Sequence, residues 1–186
     1  SMPVHLWAEA GDRVRITGDD KLVYTWRVEG PASENDSWQG YVRSAEELYD
    51  KLQMVMLEEG KLYLSNDDPA LVQARYDSLG RVQQEIMLDI HGRIIEHMKR
   101  QKMDAAGLIH LTEIAAMNNY LEDYPYREAA REIFDSLDKK WLSNPMVEQI
   151  RLHLYPAEKA VCGEPMIDGE MYDLDGTSHS LGELGG

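Results

Sequence analysis

A chain of 186 residues with 43% hydrophobic side chains is long enough and apolar enough to bury a core of its own. Its formal charge of −15, from 34 acidic and 19 basic residues, excludes the basic footprint that nucleic acid or anionic lipid requires. The acidity reads as a solvated, solubilising surface, and no apolar run reaches the roughly 18 residues of a membrane span.

The first thirty residues read as β structure. Val4, Leu6 and Ala8 alternate with His5, Trp7 and Glu9. After a Gly11-Asp12 turn, Val14 and Ile16 alternate with Arg13, Arg15 and Thr17. A second turn at Gly18-Asp19-Asp20 leads to a third strand, Leu22 to Val28. Alternation between Gly/Asp turns predicts an antiparallel meander over residues 3–30 with one wet face. Three short strands need a covering partner. Ser1-Met2 reads as an expression scar, so the natural start is expected upstream. The missing signal segment therefore says nothing of export.

From 33 to 155 the pattern turns helical. Ser33 is positioned to cap a helix from Glu34, and Ser44 with Glu47 forms a second capping box. Tyr41, Leu48, Leu52, Val55 and Met56 form a stripe ending near Gly60, and Lys61 to Ser65 reads as an extended link. Asp68 caps a long helix with Pro69 in its first turn. Val72, Tyr76, Leu79, Val82, Ile86, Ile90, Ile94 and Met98 recur at spacings of three and four. Through Arg100 that helix would cover about 32 residues, roughly 48 Å. Gly80 and Gly92 interrupt it, each at a cost of about 1 kcal/mol relative to Ala, and mark a bend or close packing. Asp104 caps a helix over 105–121, Pro125 opens one reaching Leu137, and Asn144-Pro145 starts a last one that Pro156 ends.

Candidate chemistry is sparse. Cys162 is the one cysteine, so it cannot form an internal disulfide, and it reads as an incidental linker thiol. His5, His91, His97, His110, His153 and His179 lack zinc spacing and read as surface or boundary residues. His91 and His97, six apart, fall on different faces of the long helix. Glu46, Glu47, Glu58, Glu59, Asp67 and Asp68 sit at caps and helix ends, where the dipole explains them. A carboxylate hydrolase is a weak third reading. Trp7 and Trp26 are expected on opposite sides of the meander, with Trp38 and Trp141 elsewhere. Tyr120, Tyr124 and Tyr126 surround the loop at Asp123-Pro125, fitting a binding face and a core edge equally. The methionines read as core filling. No residue is assigned as catalytic, cofactor-binding or metal-binding.

Two segments carry a resemblance. Val14-Arg15-Ile16-Thr17-Gly18 after Gly11-Asp12, then Val28-Glu29-Gly30-Pro31-Ala32-Ser33-Glu34-Asn35, resembles an N-terminal β module stepping into helices. Residues 162–186, with Gly163-Glu164-Pro165, an Asp-Gly hairpin and Ser180-Leu181, resemble the opening of a thioredoxin-like domain. Together they resemble the N-terminal part of thiol–disulfide oxidoreductases of the TlpA-like or AhpC/TSA type. Gly163-Glu164-Pro165 lacks the family's alanine before proline, and Ile167 stands near its expected phenylalanine.

The resemblance implies a periplasmic or periplasm-facing, membrane-anchored parent. It implies a role in redox homeostasis, with the redox Cys-x-x-Cys beyond Gly186. It also implies two partners, the chain's own thioredoxin-like domain and a second copy. No catalytic residue carries over. The expected class is α+β: a short antiparallel meander, a mostly helical bundle, and a C-terminal hairpin from a truncated thioredoxin-like domain. The expected function is a non-catalytic module that positions or dimerises the redox domain. The alternative is a stand-alone helical interaction module with a small β cap. The tail 162–186 is expected to lie across the meander or to exchange between protomers.

Overall fold

Local capping rules set the main helices. The computed structural model describes residues 4–18, 22–156, 170–173 and 175–180, and its class is α+β, mostly helical. Six α-helices lie among them: α1 (Ser33–Ser44), α2 (Glu46–Tyr63), α3 (Pro69–Met98), α4 (Ala105–Ala116), α5 (Arg127–Asp135) and α6 (Pro145–Leu154). Asp68, Asp104 and Asn144 accept hydrogen bonds from Ala70 N, Gly107 N and Met146 N, as their sequence positions predict. Pro69 and Pro145 occupy first turns, where a missing N–H costs nothing.

Other boundaries differ from expectation. Helix α1 begins at Ser33 itself with Ala32 at the cap and no side-chain cap bond. Ser44 does not box with Glu47. Its hydroxyl turns back to Tyr41 O at 2.6 Å, and buried Ala45, at φ −130°, separates α1 from α2. The expected link at 61–65 is mostly helix, because Leu62 is buried against α3 and α2 runs on to Tyr63. Helix α4 stops at Ala116 and passes into a 3-10 turn over Met117–Asn119. Pro125 lies in a turn two residues before α5, whose cap is Tyr126.

The N-terminal meander is reduced. Strands β1 (Arg15–Thr17) and β2 (Arg27–Glu29) pair antiparallel with Ile16 opposite Val28, and residues 23–25 form a 3-10 turn. Residues 4–9 form no strand. The backbone of Trp7 pairs instead with a side chain: its N–H donates to Asn35 Oδ1, and Asn35 Nδ2 donates to Trp7 O, both at 2.9 Å. A primary amide offers one donor and one acceptor, as a neighbouring strand would. Gly11 takes φ +99° in the expected turn, closed by Asp12 N to Glu9 O and Glu9 N to Asp12 Oδ2. Gln39 Nε2 donates to Val28 O at 2.7 Å, tying β2 to α1.

The core sits where α1, α4, α5, α6 and the C-terminal third of α3 meet. Leu108, Leu111, Ile114, Ile150 and Leu154 are 0–1% exposed there. Each such side chain contributes about 1.5–3 kcal/mol by leaving water. Arg131 closes α6 by donating to Leu154 O from Nε (3.2 Å) and Nη2 (2.9 Å).

Helices α2 and α3 extend beyond this core as a two-helix arm. The buried residues of α3 all lie at or after Ile90. Before it, Val72, Tyr76, Leu79, Gln83 and Ile86 are half-buried at alternating spacings of four and three, a heptad seam facing α2. The Tyr76 hydroxyl donates to Glu59 O at 3.0 Å across that seam.

Residues 156–186 form a separate unit. Within it, β3 (Glu170–Tyr172) and β4 (Ser178–Ser180) make an antiparallel hairpin with Met171 opposite His179. Asp173 organises the turn by accepting from Thr177 N (2.8 Å) and Asp175 N (3.0 Å), and Gly176 supplies φ +81°. Cys162, Leu174 and Leu181 lie outside the described residues.

Candidate functional site

Buried polar side chains are the informative groups in a helical core, because each needs a partner. Asn35, His91 and His110 are 1–4% exposed. Asn35 is accounted for by its clamp on Trp7. The two histidines anchor separate polar centres. Both depart from the surface or boundary positions expected of them.

His110 sits at the centre of a ring stack. Its ring lies 4.4 Å from that of Trp38 at an interplanar angle of 12°, and His5 packs on Trp38 at 4.0 Å. Tyr41 lies 4.8 Å from His110 and 4.8 Å from His97. The N-terminal segment, α1, α3 and α4 therefore each contribute rings to one cluster. Glu113, one turn after His110, faces its Nδ1 at 3.3 Å. The Tyr41 hydroxyl and His110 Nε2 are sealed without hydrogen-bond partners. The backbone comes close here: a Cβ at Gly107 would lie 2.9 Å from the Tyr41 hydroxyl and 2.8 Å from Met103 sulfur. Burial, reinforced by Asp104, raises the Tyr41 phenol far above its ordinary value, so it remains protonated. Burial lowers the pKa of His5 and His97; the neighbouring His110 adds to that in both. Burial therefore favours the uncharged forms of His5, His97 and Tyr41.

His91 anchors the second centre. Its Nδ1 lies 2.8 Å from the Tyr124 hydroxyl, with the rings edge to face. Burial pushes His91 down to about 4, opposed by Glu113 and assisted by His110. Its imidazole is therefore neutral at neutral pH. His91 also lines a cavity of about 240 Å³ between α3 and the turn after α4, with Met87, Leu88, Met117 and Leu121. Arg127 holds that turn by donating to Asn118 Oδ1, Leu121 O and Glu122 O.

The tyrosine loop divides. Tyr124 is buried, Tyr120 is 78% exposed, and Tyr126 stacks on Tyr124. A Cβ at Gly92 would lie 2.5 Å from the Tyr126 hydroxyl, so this glycine marks close packing. Gly80 meets nothing within 4 Å of a Cβ and borders the cavity. Trp7 joins the Trp38 cluster, whereas Trp26 packs against Gly18. Trp141 is only partly buried and carries Lys140 over its ring at 4.9 Å.

The other candidates are dispersed. His153 pairs with Asn119 at 2.7 Å, and His179 with Asp173 at 3.3 Å. Asp173 is held below the usual carboxylate range by the Thr177 backbone and then by His179. Glu47 faces Arg93, Glu58 pairs with Lys61, and Asp67 with Arg75. Among the described residues no group of three or more His, Cys, Asp or Glu is placed to hold a metal ion. No helix among them is long and apolar enough to cross a membrane.

The burial of His91 and His110 had a signal in the sequence. His91 continues the Met87, Ile94, Met98 stripe, and His110 lies four residues from both Ala106 and Ile114. Compared with known proteins, the chain matches no family model, no curated sequence and no solved structure.

Proposed function

We propose that this chain is a non-catalytic module of an exported thiol–disulfide oxidoreductase, serving to position or dimerise a thioredoxin-like redox domain. The observation that carries the reading is the β3–β4 hairpin, with its Asp175-Gly176 turn, at the place where the resemblance calls for a hairpin. The single cysteine adds support, since a dithiol cycle needs two thiols. The test is insulin reduction by this chain beside the longer gene product. The longer protein is expected to turn over and this chain to be inert. Turnover by this chain, or a gene that encodes no Cys-x-x-Cys after Gly186, overturns the reading.

The α2–α3 arm favours a second reading, a helical module that grips a protein partner. Met54, Leu57, Tyr63, Leu64 and Leu71 are 48–83% exposed along and at the tip of the arm. Leu57→Glu with Leu71→Glu, compared with the parent in co-purification from the native host, tests it. Loss of one stoichiometric partner supports the interaction module. Unchanged recovery of every partner rejects it.

A further inference from the structure

We propose that Met87, His91 and Met117 form a binding site for a soft monovalent metal ion, Cu(I) or its analogue Ag(I). This goes beyond the function proposed above and stands independently of it.

Position comes first. Met87 and His91 are four residues apart on α3, so they project from one face with their Cβ atoms about 5–6 Å apart. Met117 approaches from the 3-10 turn that follows α4. All three line the same 240 Å³ cavity. Thioether side chains turn about three bonds, so two of them can close on an ion within a space of this size.

The histidine is prepared as a ligand. Its Nδ1 is engaged by the Tyr124 hydroxyl, which leaves Nε2 as the coordinating nitrogen. That Nε2 makes no hydrogen bond among the described residues, and it is not sealed away as His110 Nε2 is. A partner on the far ring nitrogen fixes the ring plane, as metal-binding imidazoles require. In the ligating tautomer Nδ1–H donates to the Tyr124 oxygen.

The donor set selects the ion. Two sulfurs and one imidazole form a soft set, and neither carboxylate nor thiol lines the cavity. Thioether ligands favour Cu(I), whereas Mg(II), Ca(II) and Mn(II) require oxygen. Gln83 and Gln84 also line the cavity, but they carry no charge, and with Leu88 and Leu121 they leave an uncharged surrounding that penalises a doubly charged ion more than a singly charged one.

The experiment uses the full chain carrying Cys162→Ser, which removes the competing thiol. Cu(I) is offered anaerobically in competition with bicinchoninate, and Ag(I) is followed through the methionine methyl signals by NMR. The expected result is one ion per chain, with the Met87 and Met117 methyls shifting and those of exposed Met54 and Met56 unmoved. Met87→Leu and Met117→Leu conserve volume and should retain the fold, checked by circular dichroism. Each should weaken Cu(I) binding by more than about tenfold, and Tyr124→Phe by about tenfold. Met54→Leu should change nothing. Absence of uptake overturns the proposal. So does uptake indifferent to Met87→Leu and Met117→Leu, or Zn(II) bound as tightly as Cu(I). Binding of small apolar molecules in place of the ions also counts against it.

Discussion

The two ends of α3 share one helix and live in different surroundings. After Ile90 the helix touches α1 and α4, and buries Ile90, His91, Ile94, Ile95 and Met98. Before Gly80 it has α2 along one seam and water elsewhere, with Leu71 61% exposed. Equal helical order therefore does not mean equal stability. The core end is held by side chains from several elements, and the arm by one heptad seam.

The sharpest way to break this contrast is to truncate one leucine of the core, on α4, and one of the arm, on α3. Leu111→Ala removes a fully buried side chain and should cost about 2–5 kcal/mol in urea unfolding. Leu71→Ala, on the exposed arm, should stay within about 0.5 kcal/mol. Comparable losses at both sites would mean that the arm is packed after all.

Acid should attack the core end selectively. Burial lowers the folded pKa of His91 to about 4, below an unfolded value of 6.5. The unfolded chain therefore binds the extra proton first. The stability associated with neutral His91 is complete above about pH 6.5. It falls as pH drops toward 4, by on the order of 3 kcal/mol. Urea midpoints measured across that window in His91→Gln should slope less steeply than in the parent. Identical slopes would remove His91 from the account.

Asn35→Ala leaves the Trp7 N–H and carbonyl without their amide partner, and should cost about 1–3 kcal/mol. The Trp7 fluorescence environment should change with it. Asp68→Ala, at the N-terminus of α3 in the arm, should cost about 1 kcal/mol.

What the sequence revealed follows from the range of the interactions. The starts of α3, α4 and α6 were legible because Asp68, Asp104 and Asn144 reach only two or three residues along the chain. The first strand was misread because alternation over Val4 to Ala8 signals an extended backbone without naming its partner. Asn35, 28 residues away from Trp7, supplies that partner. The helical end of α2 is not legible because α2 packs along α3, a partner far along the chain, and Leu62 is buried.

The histidines failed for a similar reason. Spacing rules tested them against zinc, whereas their burial depends on Trp38, Tyr41 and Tyr124, which the chain brings in from elsewhere. Gly92 fits a bend or close packing equally in the sequence, and the Tyr126 hydroxyl, brought against it from 34 residues away, decides for packing.

Native-state amide hydrogen exchange tests the central contrast most directly. The account predicts that amides of α4, and of α3 after Ile90, exchange only through global unfolding. Amides of α2 after Leu52 and of α3 before Leu79 should exchange faster, through opening of the arm with little dependence on denaturant. Equal protection along the whole of α3, with one common denaturant dependence, would contradict it.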